Sequence, residues 1–334
     1  MKKDFLKLLR NFILLSIPLL GAVFYAAIFP MRYHSPEYPM WAEEKSFVRT
    51  DSNDYSVLII GDSRAKSSVL PELLGNDVYN MAIGGTTAIE MYYAFQNYLK
   101  ANDPPSYAIL IFAPYHFCDI DNYSQTLYYH YLSFWEEAGL TLNAFKSAKE
   151  DAILHKGWFT DSLSFRLRLP NKYMAEILDA PSGGNTDENT AVFQKIRQEK
   201  GFRSFGTDEE NNLENYEVHH ETFDSSELVV KYFERLLNSL EEAGTEVIIE
   251  QAPVNPFSHE HITSDFYEGF EAWLSETENR HPSCTVVHDV PVYPKNAFGD
   301  NNHLNRRGAE RYTGELLEKY PEIFKGSLTS GLPQ

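Results

Sequence analysis

The most continuous apolar stretch lies at the start of the chain. Lys2, Lys3, Lys7 and Arg10 precede a run from Phe12 to Phe29 that holds no charged residue. At about 1.5 Å of rise per residue, such a helix approaches the ~30 Å core of a bilayer. Pro18 and Gly21 interrupt the run, and membrane helices tolerate both. The basic flank predicts an N-inside orientation with the rest of the chain exported. A cleaved signal peptide is the competing reading, but the run is long for one and no A-x-A site follows it. A buried core helix fits the basic flank poorly, and fits the loop-like Pro30 to Pro39 stretch no better. Residues 1–30 therefore read as a membrane anchor (or signal peptide), and 31–54 as a polar, proline-bearing linker.

From Tyr55 the pattern changes to short apolar runs alternating with helical spacing. Tyr55 to Ile60, ending at Gly61, reads as a buried parallel strand. Asp77 to Asn80 and Tyr107 to Phe112 read as the second and third strands, with a helix over Thr87 to Lys100 between them. The pattern resumes at Asp224-Ser225-Ser226-Glu227, which fits an N-cap followed by a capping glutamate. A helix from there runs to Gly244, a C-terminal glycine. Thr245 to Gln251 is strand four, Ser264 to Glu278 a helix, Cys284 to His288 strand five, and Arg307 to Lys319 a closing helix. Five strands separated by helices predict a three-layer α/β/α domain over 55–325. Its five-stranded parallel sheet is expected in flavodoxin-like order, with ligands gathered at the carboxyl ends of the strands.

A long insertion separates strands three and four, at about 119–223. It carries Tyr123, Tyr128, Tyr129, Tyr131, Trp135 and Trp158, a loose loop over Pro181 to Glu188, and an acidic run from Asp208 to Glu221. It reads as a helical insertion that is either a substrate lid or a structural cap with a solvated acidic face. Aromatic side chains of this kind stack on sugar rings or simply pack.

The length of 334 residues suits one large domain with such an insertion. A net charge of -19 excludes the basic footprint that nucleic acid requires. The only cysteines, Cys118 and Cys284, make one bridge or two free thiols, not a disulfide framework. No Cys/His spacing suggests zinc. His219-His220 and His259-Glu260-His261 read as solvated, and no metal or cofactor is expected.

Two short motifs carry candidate chemistry. Gly61-Asp62-Ser63-Arg64 follows strand one, so Ser63 stands at a strand-to-helix turn as a candidate nucleophile. Gly299-Asp300-Asn301-Asn302-His303 follows strand five, and there Asp300 can fix the ring tautomer of His303 as a base. Each alone is a common turn or cap. Together they fall at the same sheet edge.

At this point the chain resembles the SGNH (GDSL-like) hydrolase superfamily, from Tyr55 to Thr313 apart from the insertion. Gly61-Asp62-Ser63 matches its first block, Asn80-Met81-Ala82-Ile83-Gly84-Gly85-Thr86 its second, and Asp300 to His303 its last. The resemblance implies a Ser63–Asp300–His303 triad, with the N–H groups of Ser63 and Gly85 as oxyanion donors. It departs at the third block, which normally supplies an asparagine side chain. Phe112-Ala113-Pro114-Tyr115-His116 stands there, so Tyr115 or His116 falls near the asparagine position. Either Tyr115 substitutes as a donor, or turnover is slow, or the site is tuned for one acyl donor, or the chain is an inactive relative.

The Gly-Asp-Ser-Arg and His-Leu-Asn forms behind an anchor resemble the membrane-anchored branch of that family. It includes alginate and peptidoglycan O-acetyltransferases and the teichoic acid D-alanylation protein. The resemblance implies a single-pass cell-membrane protein with an extracytoplasmic domain, a cell-surface polysaccharide as substrate, and a membrane O-acyltransferase as partner. A plain carbohydrate esterase or deacetylase, or a non-catalytic accessory protein, are the rival readings. Arg64 and His116 are candidate substrate contacts, with a structural ion pair as the alternative for Arg64.

Overall fold

The computed structural model describes residues 2–28, 36–51, 55–118, 130–132, 135–136, 186–207 and 220–324. Helix α1 (Lys2–Ile28) contains the apolar span Lys3–Ala22, long and apolar enough to cross a membrane. Its large side chains from Phe5 to Leu20 are exposed, and nothing among the described residues covers them.

The domain behind it is an α/β sandwich. Strands β1 (Val57–Gly61), β2 (Val78–Asn80), β3 (Tyr107–Ile111), β4 (Glu246–Glu250) and β5 (Thr285–Val286) form one parallel sheet in the order β2-β1-β3-β4-β5. That is the expected flavodoxin-like order. Strand alternation sorts the core into two layers. Leu58, Ile60, Leu110 and Ile249 face α5 (Ala88–Leu99), α7 (Glu227–Glu242) and α9 (Ser264–Arg280). Val57, Ile59, Ile111 and Ile248 face α3 (Ser63–Ser68), α4 (Pro71–Leu74) and α10 (Arg306–Lys319). The remaining described helices are α2 (Tyr38–Phe47), α6 (Thr186–Gln198) and α8 (Pro256–His261).

Three expectations are corrected. Residues 38–47 are not linker but helix α2, with Met40, Trp41 and Phe47 buried in the core. Glu43 and Glu44 are buried there as well, near Lys66 of α3, and these polar positions masked the helix in the sequence. The cap of α7 is Ser226, whose hydroxyl accepts the Val229 N–H at 3.2 Å. Glu227 is then the first helical residue, not a capping glutamate. Strand five is also shorter than read, because only Thr285 and Val286 pair with β4.

The end of the insertion belongs to the domain body. Helix α6 begins at Thr186, inside the expected loose loop, and packs on α2. Lys200 offers its carbonyl to the Asn80 N–H at 2.9 Å, which extends the edge of β2. Tyr131 is buried near Trp41, a packing role, whereas Trp135 is exposed. Tyr123, Tyr128, Tyr129, Trp158, residues 181–185 and most of the acidic run lie outside the described residues.

Candidate active site

Gly61 ends β1 where only glycine fits, since a Cβ there would sit 1.8 Å from the Ile111 carbonyl oxygen. Asp62 follows in extended conformation and caps α3, its Oδ1 accepting the Arg64 N–H at 2.8 Å. Its Oδ2 accepts the Ala113 N–H at 2.7 Å and lies 2.6 Å from His116 Nδ1. Asp62 is fully buried and so ties the turn after β1 to the turn after β3. Burial pushes its carboxyl up, but His116, the Ala113 N–H and Arg64 together hold it below the usual carboxylate range. Ser63 is the first residue of α3, where a backbone N–H has no intrahelical acceptor.

The turn after β2 is stitched to the same place. The Ile83 N–H and the Thr86 hydroxyl both donate to the Gly61 carbonyl, at 3.1 and 3.2 Å. Gly85 has φ +70° and open space around its α-carbon, which suits glycine. The Gly84 N–H contacts Met40 Sδ of α2 at 3.2 Å.

The last piece comes from the loop before α10. The Gly299 N–H donates to the His303 carbonyl at 2.9 Å, and Asp300 Oδ1 accepts the N–H groups of Asn302 and His303, both at 2.8 Å. Asn305 caps α10 and donates to the carbonyls of Asn296 and Phe298, which fixes where the loop leaves the sheet. Asn255 donates to the Asn301 carbonyl. In this frame His303 Nδ1 lies 2.8 Å from Asp300 Oδ2, and His303 Nε2 lies 2.8 Å from Ser63 Oγ. Burial raises the Asp300 carboxyl, but the His303 ring and the loop N–H groups hold it below the usual range. An ionised Asp300 accepts only, so Nδ1 carries a proton and a neutral ring leaves Nε2 free to accept from Ser63.

Serine, histidine and aspartate therefore meet as the motifs suggested, with Gly85 on a turn anchored two residues before Ser63. The third block contributes differently. His116 faces Asp62, and Tyr115 lies against both its ring, at 4.4 Å between centroids, and the Arg64 guanidinium, at 5.8 Å. Arg64 is only 2% exposed and donates to the Pro253 carbonyl, so it braces the site from beneath instead of lying open to substrate. His259 and His261 are exposed on α8, and Cys118 and Cys284 are not joined in a disulfide.

One contributor had only a partial signal in the sequence, and another had none. Asp62 was visible only as the middle of a motif. Phe205 packs its ring 4.6 Å from that of His303. Its neighbours press the loop closely, because the Thr207 N–H donates to the Gly299 carbonyl at 2.9 Å. A Cβ on Gly206 would come within 2.1 Å of that same oxygen. A cleft of about 560 Å³ lies at the opposite, amino-terminal sheet edge beside Tyr55, Ser56 and Ser106, away from Ser63.

A family model that carries no functional description matches residues 209–325, a stretch that includes Asp300 and His303 but not Ser63. No curated protein matches the chain.

Proposed function

We propose that the chain is a membrane-tethered serine esterase or acyltransferase of the SGNH type, acting on acyl esters of a cell-surface polysaccharide. The observation that carries this reading is the continuous contact from Asp300 through His303 to Ser63. Both contacts are 2.8 Å, and the one between His303 and Ser63 joins residues 240 positions apart in the sequence.

In the proposed reaction His303 Nε2 takes the Ser63 hydroxyl proton as Oγ attacks the ester carbonyl. The N–H groups of Ser63 and Gly85 receive the oxyanion. Collapse forms the Ser63 acyl ester and expels the alcohol, which takes the proton back from Nε2. A sugar hydroxyl, or water, is then deprotonated by His303 and attacks the acyl carbon, releasing Ser63. The same residues serve either acceptor. The apolar α1 and its basic flank favour a domain held at the outer face of the membrane, and the family resemblance alone suggests a membrane O-acyltransferase beside it that would supply acyl groups.

The test is hydrolysis of a small acetyl ester such as p-nitrophenyl acetate by the full chain in detergent. Ser63→Ala should lower turnover by about 10³-fold or more with the thermal transition retained. Undiminished turnover would sink the proposal. A non-catalytic accessory role is favoured by one observation, the Tyr115-His116 pair where an amide side chain is expected. Polysaccharide binding without any ester turnover would select it.

A further inference from the structure

At the sheet edge opposite Ser63, three side chains of different ligand chemistry converge. Glu241 lies in the last turn of α7, His281 caps the end of α9, and Cys284 stands just before β5. None of them is used by the reaction above. We propose that Glu241, His281 and Cys284 form a zinc site that clips these three elements together.

The geometry is close to a metal cage already. His281 Nδ1 lies 3.2 Å from Glu241 Oε2, Cys284 Sγ lies 3.6 Å from Glu241 Oε1, and the ligand atoms all fall within 4.8 Å of one another. Tetrahedral zinc with its usual bond lengths sets nitrogen–oxygen edges of about 3.4 Å and sulfur–oxygen edges of about 3.6 Å. The two short distances run to different oxygens of Glu241, so a turn of that carboxylate has to bring one oxygen to both partners, and the set closes to about 3.4–3.6 Å from within 4.8 Å. Cys284 and His281 are 6% and 4% exposed, so the donors are set in the fold before any ion arrives. Glu241 is more open, which leaves the fourth position to water.

The outer contacts are those that a metal-binding imidazole needs. His281 Nε2 lies 2.9 Å from Glu234 Oε2, and Glu234 is in turn held by Arg280 at 3.0 Å. A carboxylate on the far ring nitrogen fixes the tautomer that presents Nδ1 to the metal. A thiol with an imidazole selects zinc over the hard cations, which want oxygen alone. Zinc displaces the Cys284 thiol proton to solvent when it binds. The His281-x-x-Cys284 spacing is too short a motif to announce this in the sequence, because its third ligand lies forty positions upstream.

The experiment is equilibrium dialysis of the full chain in detergent against low micromolar zinc, with the bound metal quantified. One zinc per chain is expected, unchanged in Ser63→Ala. Cys284→Ser should bind at least tenfold more weakly, and Glu234→Gln, which touches no metal, about ten- to a hundredfold more weakly. Cobalt(II) loaded into the wild-type chain should show thiolate charge-transfer absorption, a readout that needs no variant to fold. Absence of bound zinc, cobalt without the thiolate band, or equal zinc affinity in Cys284→Ser would overturn the proposal and leave three groups joined by hydrogen bonds alone.

Discussion

The two halves of the candidate triad are held in opposite ways. Ser63 stands on a turn fixed from beneath by a fully buried carboxylate, Asp62, which accepts two backbone N–H groups and faces His116. Asp300, by contrast, has a side chain that is 38% exposed, and its loop is held by side-chain amides from Asn255 and Asn305 and by the strap around Phe205. Ser63, itself partly exposed, thus stands on a turn anchored in the core. His303 stands on a surface loop whose supports come from distant parts of the chain. Function and stability should therefore separate on the loop and coincide at the turn.

The largest effects are on chemistry. His303→Ala should lower ester turnover by about 10³-fold or more, and Asp300→Asn by roughly 10²–10⁴-fold, with the midpoint of thermal unfolding nearly unchanged in both. Asp62→Ala should do the reverse in kind. It strands the Ala113 and Arg64 N–H groups and the ring of His116, so urea unfolding should show a loss of about 3–5 kcal/mol. Asp300→Ala should cost about 1–2 kcal/mol on the same scale. A larger loss for Asp300 than for Asp62 would break the comparison.

Smaller effects sharpen it. Phe205→Ala should lower kcat by about ten- to a hundredfold through misplacement of His303, with unfolding shifted by no more than about 2 kcal/mol. Glu90 gives a pH test on the Ser63 side. It lies in α5 and completes the capping box with Thr87, immediately after the Gly84–Thr86 turn. Burial lifts its carboxyl from 4.5 to about 7, against the hydrogen bonds from Thr87. The folded chain then binds the extra proton between those values, so this group's contribution to stability falls as pH rises from about 4.5 to about 7, by about 3 kcal/mol in all. Glu90→Gln keeps a capping side chain and should flatten that slope, gaining most above pH 7. Denaturation at pH 5 and pH 8 checks this, and an unchanged slope would refute it.

What the sequence made legible follows the same division. The strands β1 to β4 were readable to within about two residues, because short apolar runs ending at Gly61, Asn80, Phe112 and Gln251 leave few alternatives. Ser63 and its turn were readable for the same reason, being local to one strand end. Helix α2 was hidden because Glu43 and Glu44 break its apolar face, although Met40, Trp41 and Phe47 bury deeply. Phe205 and Asn255 gave no signal, since each acts on a loop far away in sequence. The Glu241, His281 and Cys284 cluster was invisible for that reason too, because its members meet only once α7, α9 and β5 are packed.

The central claim is that Ser63 is an activated nucleophile, and covalent labelling reads this directly. A fluorophosphonate probe, followed by peptide mass mapping, should modify the wild-type chain at Ser63 alone. It should label His303→Ala far more slowly and leave Ser63→Ala unlabelled. Wild-type chain that stays unlabelled, or label found equally on other serines, would contradict the account.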